Sequence, residues 1–137
     1  MQVVILDLGK ETFAIEALAV QEILRRPHAV SLPEAPPHVL GIIDFRGRSI
    51  PLIHLGRMLS VPTTEEGMRA IVLEDEGFSA AFLVDDVSDV INIPDHAFDP
   101  MPAAIEGATQ VPKAVARVKD RLIVVIDPVR LLLGLRR

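Results

Sequence analysis

The sequence predicts an all-β fold, and three observations carry that expectation. Short apolar runs recur, about nine or ten in number, with turn residues roughly every 6 to 12 positions, the spacing of a sandwich or of small barrels. Half the residues are apolar, yet Trp and Tyr are absent and Phe occurs five times, so the core must be built from Val, Ile, Leu and Ala. Branched side chains of this kind pack well on pleated surfaces. The stretch from Gly41 to Leu55 carries the clearest period-two pattern. Ile43 and Phe45 alternate before a turn at Gly47, and Ile50, Leu52 and His54 alternate after it.

Taken in order, Val3 to Leu8 reads as a strongly apolar strand, Gly9-Lys10 as a turn, and Thr12 to Ile15 as the partner strand. Glu16 to Val20 has the propensity for one short helical turn, after which Val20 to Leu24 reverts to strand. Pro27, Pro33, Pro36 and Pro37 make residues 27 to 38 mainly extended loop, with room for a helical turn between Glu34 and Leu40. The central hairpin follows, and Leu55 to Leu59 reads as a short helix. Pro62 to Gly67 is a polar loop. Arg69 to Glu74 and Phe78 to Val84 are strands around an Asp75-Glu76-Gly77 turn, and Asp85-Asp86 marks a kink before the extended run Val87, Val90, Ile91 and Ile93.

Pro94, Pro100, Pro102 and Pro112 break up residues 94 to 112, which leaves loop with one short strand. Ala114 to Lys119 and Arg121 to Ile126 form a last hairpin around Asp120. Asp127 can cap a terminal helix that starts at Pro128, shows Val129, Leu132 and Leu133 as its apolar face and ends at Gly134. One closed barrel of this many strands would be wide enough to hold a cavity, whereas two smaller barrels sharing a core would be packed solid. Spacing alone leaves both open.

At 137 residues the chain is read as one domain, 1–137, large enough to close a core without staples. It has no cysteine, so disulfides and thiolate catalysis are excluded and any zinc site would need His and carboxylates. The 14 Lys plus Arg against 19 Asp plus Glu give a mildly acidic balance, which argues against a reader of nucleic-acid backbones. Missing aromatics remove the usual stacking platforms for single strands. No run reaches the roughly 18 apolar residues of a membrane span, and Met1-Gln2-Val3-Val4-Ile5 lacks a cationic leader. The expected location is cytoplasmic.

No catalytic constellation emerges. His28, His38, His54 and His96 show no His-x-x-x-His spacing. His54 reads as a polar tip on a partly exposed strand rather than a ligand. Asp85 and Asp86 are adjacent, so in a strand they face opposite sides and make no acid/base pair. Together with Asp89 they read as solvated turn charges. Ser31, Ser49, Ser60, Ser79 and Ser88 lack a nucleophile-elbow context, and the glycines are scattered singly, without a phosphate loop or dinucleotide fingerprint. The reading is therefore not an enzyme, with no cofactor and no metal. Arg46, a fixed cation at the lip of an apolar hairpin, would ordinarily be a solvated turn residue.

A family likeness changes its weight. Val3 to Ile15, Val20-Gln21-Glu22-Ile23, the run Val39-Leu40-Gly41-Ile42-Ile43-Asp44-Phe45-Arg46-Gly47, Ile50-Pro51-Leu52-Ile53, and Leu83-Val84-Asp85-Asp86-Val87-Ser88-Asp89-Val90 stand in an order that resembles the CheW-like domain of chemotaxis adaptors. Asp120-Arg121-Leu122-Ile123 and the short terminal helix extend the likeness over nearly the whole chain. The resemblance implies two packed SH3-like five-stranded β-barrel subdomains with short helices, one at the C-terminus. It implies an adaptor that couples the cytoplasmic tip of a chemoreceptor (a methyl-accepting chemotaxis protein) to the regulatory domain of the histidine kinase CheA. The expectation is no nucleic-acid partner and no membrane insertion, with recruitment to receptor arrays at the inner membrane.

By resemblance, receptor contact falls on Arg46, Val20, Glu22, Gly41 and Ile43, and kinase contact on Val87, with residues 99 to 112 as a further candidate. An apolar groove flanked by Ile and Val can take the stripe of a helix, with Arg46 pairing at its rim. Three departures bear on the partner: His54 stands where the family usually has an acid, Asp44-Phe45 replaces the commoner Asn-Leu, and the loop at 60 to 68 is short. The alternatives are a CheW-like module of a non-flagellar chemosensory pathway, a nucleic-acid-binding small barrel, or a ligand-binding or enzymatic barrel with an open polar cavity.

Overall fold

The computed structural model describes residues 1–63, 69–101 and 111–135. Among them eleven strands form in chain order: β1 (Gln2–Leu8), β2 (Glu11–Glu16), β3 (Val20–Arg25), β4 (Val39–Phe45), β5 (Arg48–His54), β6 (Arg69–Asp75), β7 (Phe78–Val84), β8 (Asp86–Asn92), β9 (Phe98–Pro100), β10 (Pro112–Val118) and β11 (Arg121–Ile126). Two short helices, α1 (Leu55–Leu59) and α2 (Pro128–Leu133), and single 3₁₀ turns at Ala17–Ala19 and Asp95–Ala97 join them. Part of the polar loop expected at 62 to 67, and residues 102–110 of the loop expected at 94 to 112, lie outside the described residues.

The strands make two sheets, β8-β1-β2-β11-β10-β9 and β3-β6-β7-β5-β4. The all-β expectation holds, with six strands rather than five in the first sheet because the three-residue β9 pairs with β10. Neighbours in each sheet are antiparallel except for one pair: β2 with β11, and β5 with β7. The first sheet is thereby closed by strands from both ends of the chain, and the second comes entirely from its middle.

Three apolar clusters explain why so many strands read as continuous rather than alternating runs. Val3, Ile5, Ala14, Ile93, Ala116, Ile123 and Val125 fill the first sheet. Ile43, Phe45, Ile50, Leu52, Ala70, Val72 and Ala81 fill the second. Between them lies a larger cluster that includes Val4, Leu6, Leu8, Ile71, Leu73, Phe82, Leu131 and Leu132. A strand such as β1 therefore buries alternate residues in two different cores, and both faces must be apolar.

Two expectations need correction. Helix α2 is capped as foreseen, with Asp127 Oδ1 accepting the Val129 N–H at 2.9 Å, but its buried face is Leu131 and Leu132 while Val129 and Leu133 are exposed. The first turn after the cap points outward, and the face that returns to β6 comes one turn later. Asp85 is not a solvated turn charge. Its Oδ2 accepts the Gly9 N–H at 2.6 Å, and its own N–H donates to the Asp7 carbonyl at 3.0 Å. It clasps the β1–β2 turn of the first sheet to the end of β7 in the second.

Candidate functional site

One end of the five-stranded sheet gathers the β4–β5 turn, the β6–β7 turn and the start of β3. Arg46 and Gly47 form the two-residue β4–β5 turn, with φ of 51° and 80°. Tight hairpins need left-handed backbone at both central positions, because that twist matches the flanking strands. Glu76 and Gly77 repeat the geometry between β6 and β7, so the left-handed arginine is set by the hairpin type.

The Arg46 side chain is held from two sides. Its Nη2 donates to Glu22 Oε1 on β3 at 2.9 Å, and its guanidinium carbon lies 4.8 Å from the centroid of the Phe45 ring. The arginine side chain is nevertheless 63% exposed, so it is oriented without being hidden. An exposed ion pair and an exposed cation–π contact each contribute roughly 0.5 to 1 kcal/mol at most. Together they position the group more than they stabilise the fold.

Beneath Arg46 runs a row of polar contacts across four strands. Gln21 on β3 donates through Nε2 to Glu74 Oε2 on β6. Arg48 on β5 donates through Nη2 to Ser79 Oγ on β7 at 2.8 Å and lies 3.8 Å from Glu74 Oε2. Ser79 is buried, so its hydroxyl would carry a desolvation penalty of about 1 to 3 kcal/mol without that donor. Sequence reasoning did not find this row, because its members are far apart in the chain and meet only through sheet pairing.

The candidates read from the sequence divide by burial. Arg46 and Glu22 meet at the rim, and Val20 is half-buried against the inter-sheet cluster. Gly41 and Ile43 are buried. Ile43 fills the second sheet's interior, and a Cβ on Gly41, whose φ is 150°, would lie 2.2 Å from the Val30 carbonyl oxygen. Both support the hairpin from behind. Val87 lies on β8 in the other sheet, half-buried against the inter-sheet cluster. Leu18, on the 3₁₀ turn before β3, is 91% exposed. Sequence reasoning passed over it, although a leucine on a three-residue turn has little to pack against.

His54 is not a bare tip. Its Nδ1 accepts the Arg57 N–H at 3.1 Å and caps α1, while its own N–H donates to the His38 carbonyl at 2.7 Å. Burial, then the positive charge of Arg57, push its pKa below the ordinary imidazole value, against a smaller opposing pull from Asp85. Among the described residues no group of three His, Asp or Glu side chains converges as a metal site would need.

Comparison with known proteins places these features in a family. The profile of the CheW-like domain matches residues 2–135. Chemotaxis protein CheW of Rhizobium meliloti (strain 1021) is 28% identical over 123 residues, covering 88% of this chain and 79% of that protein. Chemotaxis protein CheW of Helicobacter pylori is 26% identical, covering 87% of this chain and 73% of that one. The crystal structure of scaffolding protein TtCheW from Thermoanaerobacter tengcongensis superposes with a TM-score of 0.84 at 27% identity, over 92% of this chain and 88% of that one.

Proposed function

Since the chain belongs to the CheW-like domain family, it is a chemotaxis adaptor, and we propose that it acts without catalysis, as a scaffold coupling the cytoplasmic tip of a chemoreceptor to the regulatory domain of the histidine kinase CheA. The observation that carries this reading is Arg46, fixed between Glu22 and Phe45 yet open to solvent. A guanidinium has five N–H donors, and Glu22 uses one. The others are free to take a carboxylate or carbonyl at the edge of a docked receptor helix. Val20 and Leu18 supply apolar surface beside it, and Gly41 and Ile43 fix the hairpin that carries it.

Kinase contact is assigned to Val87 on β8, the most exposed long strand of the first sheet. Of the further candidate segment 99 to 112, residues 102–110 lie outside the described residues. Residues 1–137 act as one domain of two intertwined barrel subdomains, a reading supported by the return of β11 to β2. The working location is cytoplasmic, at receptor arrays on the inner membrane. No described helix is long and apolar enough to cross a membrane.

The test is a pull-down with CheA and a receptor cytoplasmic fragment, using wild type, Arg46→Glu and the exchange Glu22→Arg with Arg46→Glu. Wild type is expected to bridge the two partners. Arg46→Glu should keep the kinase and lose the receptor by about tenfold or more. The exchange should restore the ion pair but not receptor binding. Recovery of receptor binding in the exchange would mean that the pair is structural and Arg46 touches no receptor; a folded wild type that binds neither partner would overturn the coupling role.

A further inference from the structure

Every described arginine but three has an acceptor. Arg46, Arg48, Arg57, Arg117, Arg121 and Arg130 each hold a carboxylate, a hydroxyl or a carbonyl. The three that hold none among the described residues are Arg25, Arg26 and Arg69, and they are neighbours. Arg25 and Arg69 stand directly opposite each other in the β3–β6 ladder, so both side chains leave the sheet on one face. Arg26 follows with a left-handed backbone, φ 46°, and exposed His28 is two residues further on.

This arrangement works against the fold. Like charges directly opposite destabilise a strand pair, and among the described residues no acid pairs with them, although the chain carries 19 acids against 14 bases. On the same face, Ile23 is 41% exposed on an edge strand, two positions before Arg25. The patch therefore joins three guanidiniums that have no acceptor among the described residues to one partly exposed apolar side chain.

We infer that this end of β3 and β6 is a docking surface for an acidic protein segment with an apolar residue among its carboxylates. The carboxylates pair with Arg25, Arg26 and Arg69, whose planar forks match them, and the apolar residue covers Ile23. Charge complementarity selects the occupant. A long polyanion or an anionic membrane would also meet the rest of a chain whose net charge is −5 overall. A short acidic segment senses only charges within a Debye length of about 8 Å. Arg25 and Arg69 stand at the opposite ends of β3 and β6 from Gln21 and Glu74, so this surface is separate from the Arg46 rim and does not rest on the receptor assignment.

The probe is a short fluorescein-labelled Glu-rich peptide punctuated by Leu, with its Gln-for-Glu counterpart, titrated by anisotropy at physiological salt. Wild type should bind the first saturably and not the second. Arg69→Glu turns the repelling pair into a cross-strand ion pair, so it should hold or raise the melting temperature while weakening the peptide about tenfold or more. Lys119→Glu, an equal charge change on the β10–β11 turn, should leave binding unchanged. No saturable binding, or equal loss in both variants, would overturn the inference. So would tighter binding of an oligonucleotide or anionic vesicles at this patch, or self-association of the protein that Arg69→Glu abolishes.

Discussion

The cap that His54 places on α1 requires a neutral ring, because Nδ1 must accept the Arg57 N–H. Protonation removes the acceptor and sets a cation beside Arg57, whereas Asp85 partly offsets that repulsion. The folded pKa is lowered, so the cap's contribution is fully present above the unfolded value of about 6.5 and is lost as pH falls through the lower folded value. An N-cap contributes roughly 0.5 to 2 kcal/mol. Urea midpoints of wild type should therefore fall between neutral and mildly acid pH, and His54→Asn, which caps without titrating, should flatten that fall. An equal slope in both proteins would place the acid sensitivity elsewhere.

At the scale of elements, α2 offers a direct contrast. Leu132 is buried in the inter-sheet cluster and Val129 is exposed on the same helix. Leu132→Ala should cost about 2 to 4 kcal/mol in chemical denaturation, and Val129→Ala should stay within about 0.5 kcal/mol. Similar losses would contradict the helix orientation. The strands and turns of this chain were legible in its sequence because each hairpin advertises itself locally, through Gly9, Gly47, Gly77 and Asp120 between apolar runs. The face of α2 was not, because Val129, Leu131, Leu132 and Leu133 are all apolar and only the direction of approach from β11 chooses among them. Asp85 was misread for a related reason: its partner Gly9 is 76 residues away. At the candidate site, Arg46 was visible only through the family resemblance, and its pairing with Glu22 is made by sheet closure. Gly41 and Ile43 belong to the same signature run but serve the hairpin from inside.

For the whole molecule, the inter-sheet cluster couples the two halves. Phe82 comes from β7 of the second sheet, and β1, β2 and β11 of the first contribute Leu6, Ile15 and Ile126 to the same cluster. Phe82→Ala should cost about 3 to 5 kcal/mol and lower amide protection in β11 as much as in β7, in a single cooperative transition. Two separated transitions would show that the halves are independent folding units. This packing also explains why spacing alone could not choose between one wide barrel and two small ones. The deciding pairs, β2 with β11 and β5 with β7, are parallel and non-adjacent in the chain, and no turn residue announces them.

The return of β11 to β2 has a consequence for biosynthesis. During vectorial synthesis β1 and β2 leave the ribosome early, but the strand that completes their sheet is made only after β3 to β10. At 5 to 20 residues per second that wait is on the order of ten seconds. The middle sheet has all its strands well before then and can assemble first. The nascent β1–β2 hairpin, apolar on both faces, is the segment a ribosome-associated chaperone would need to shield.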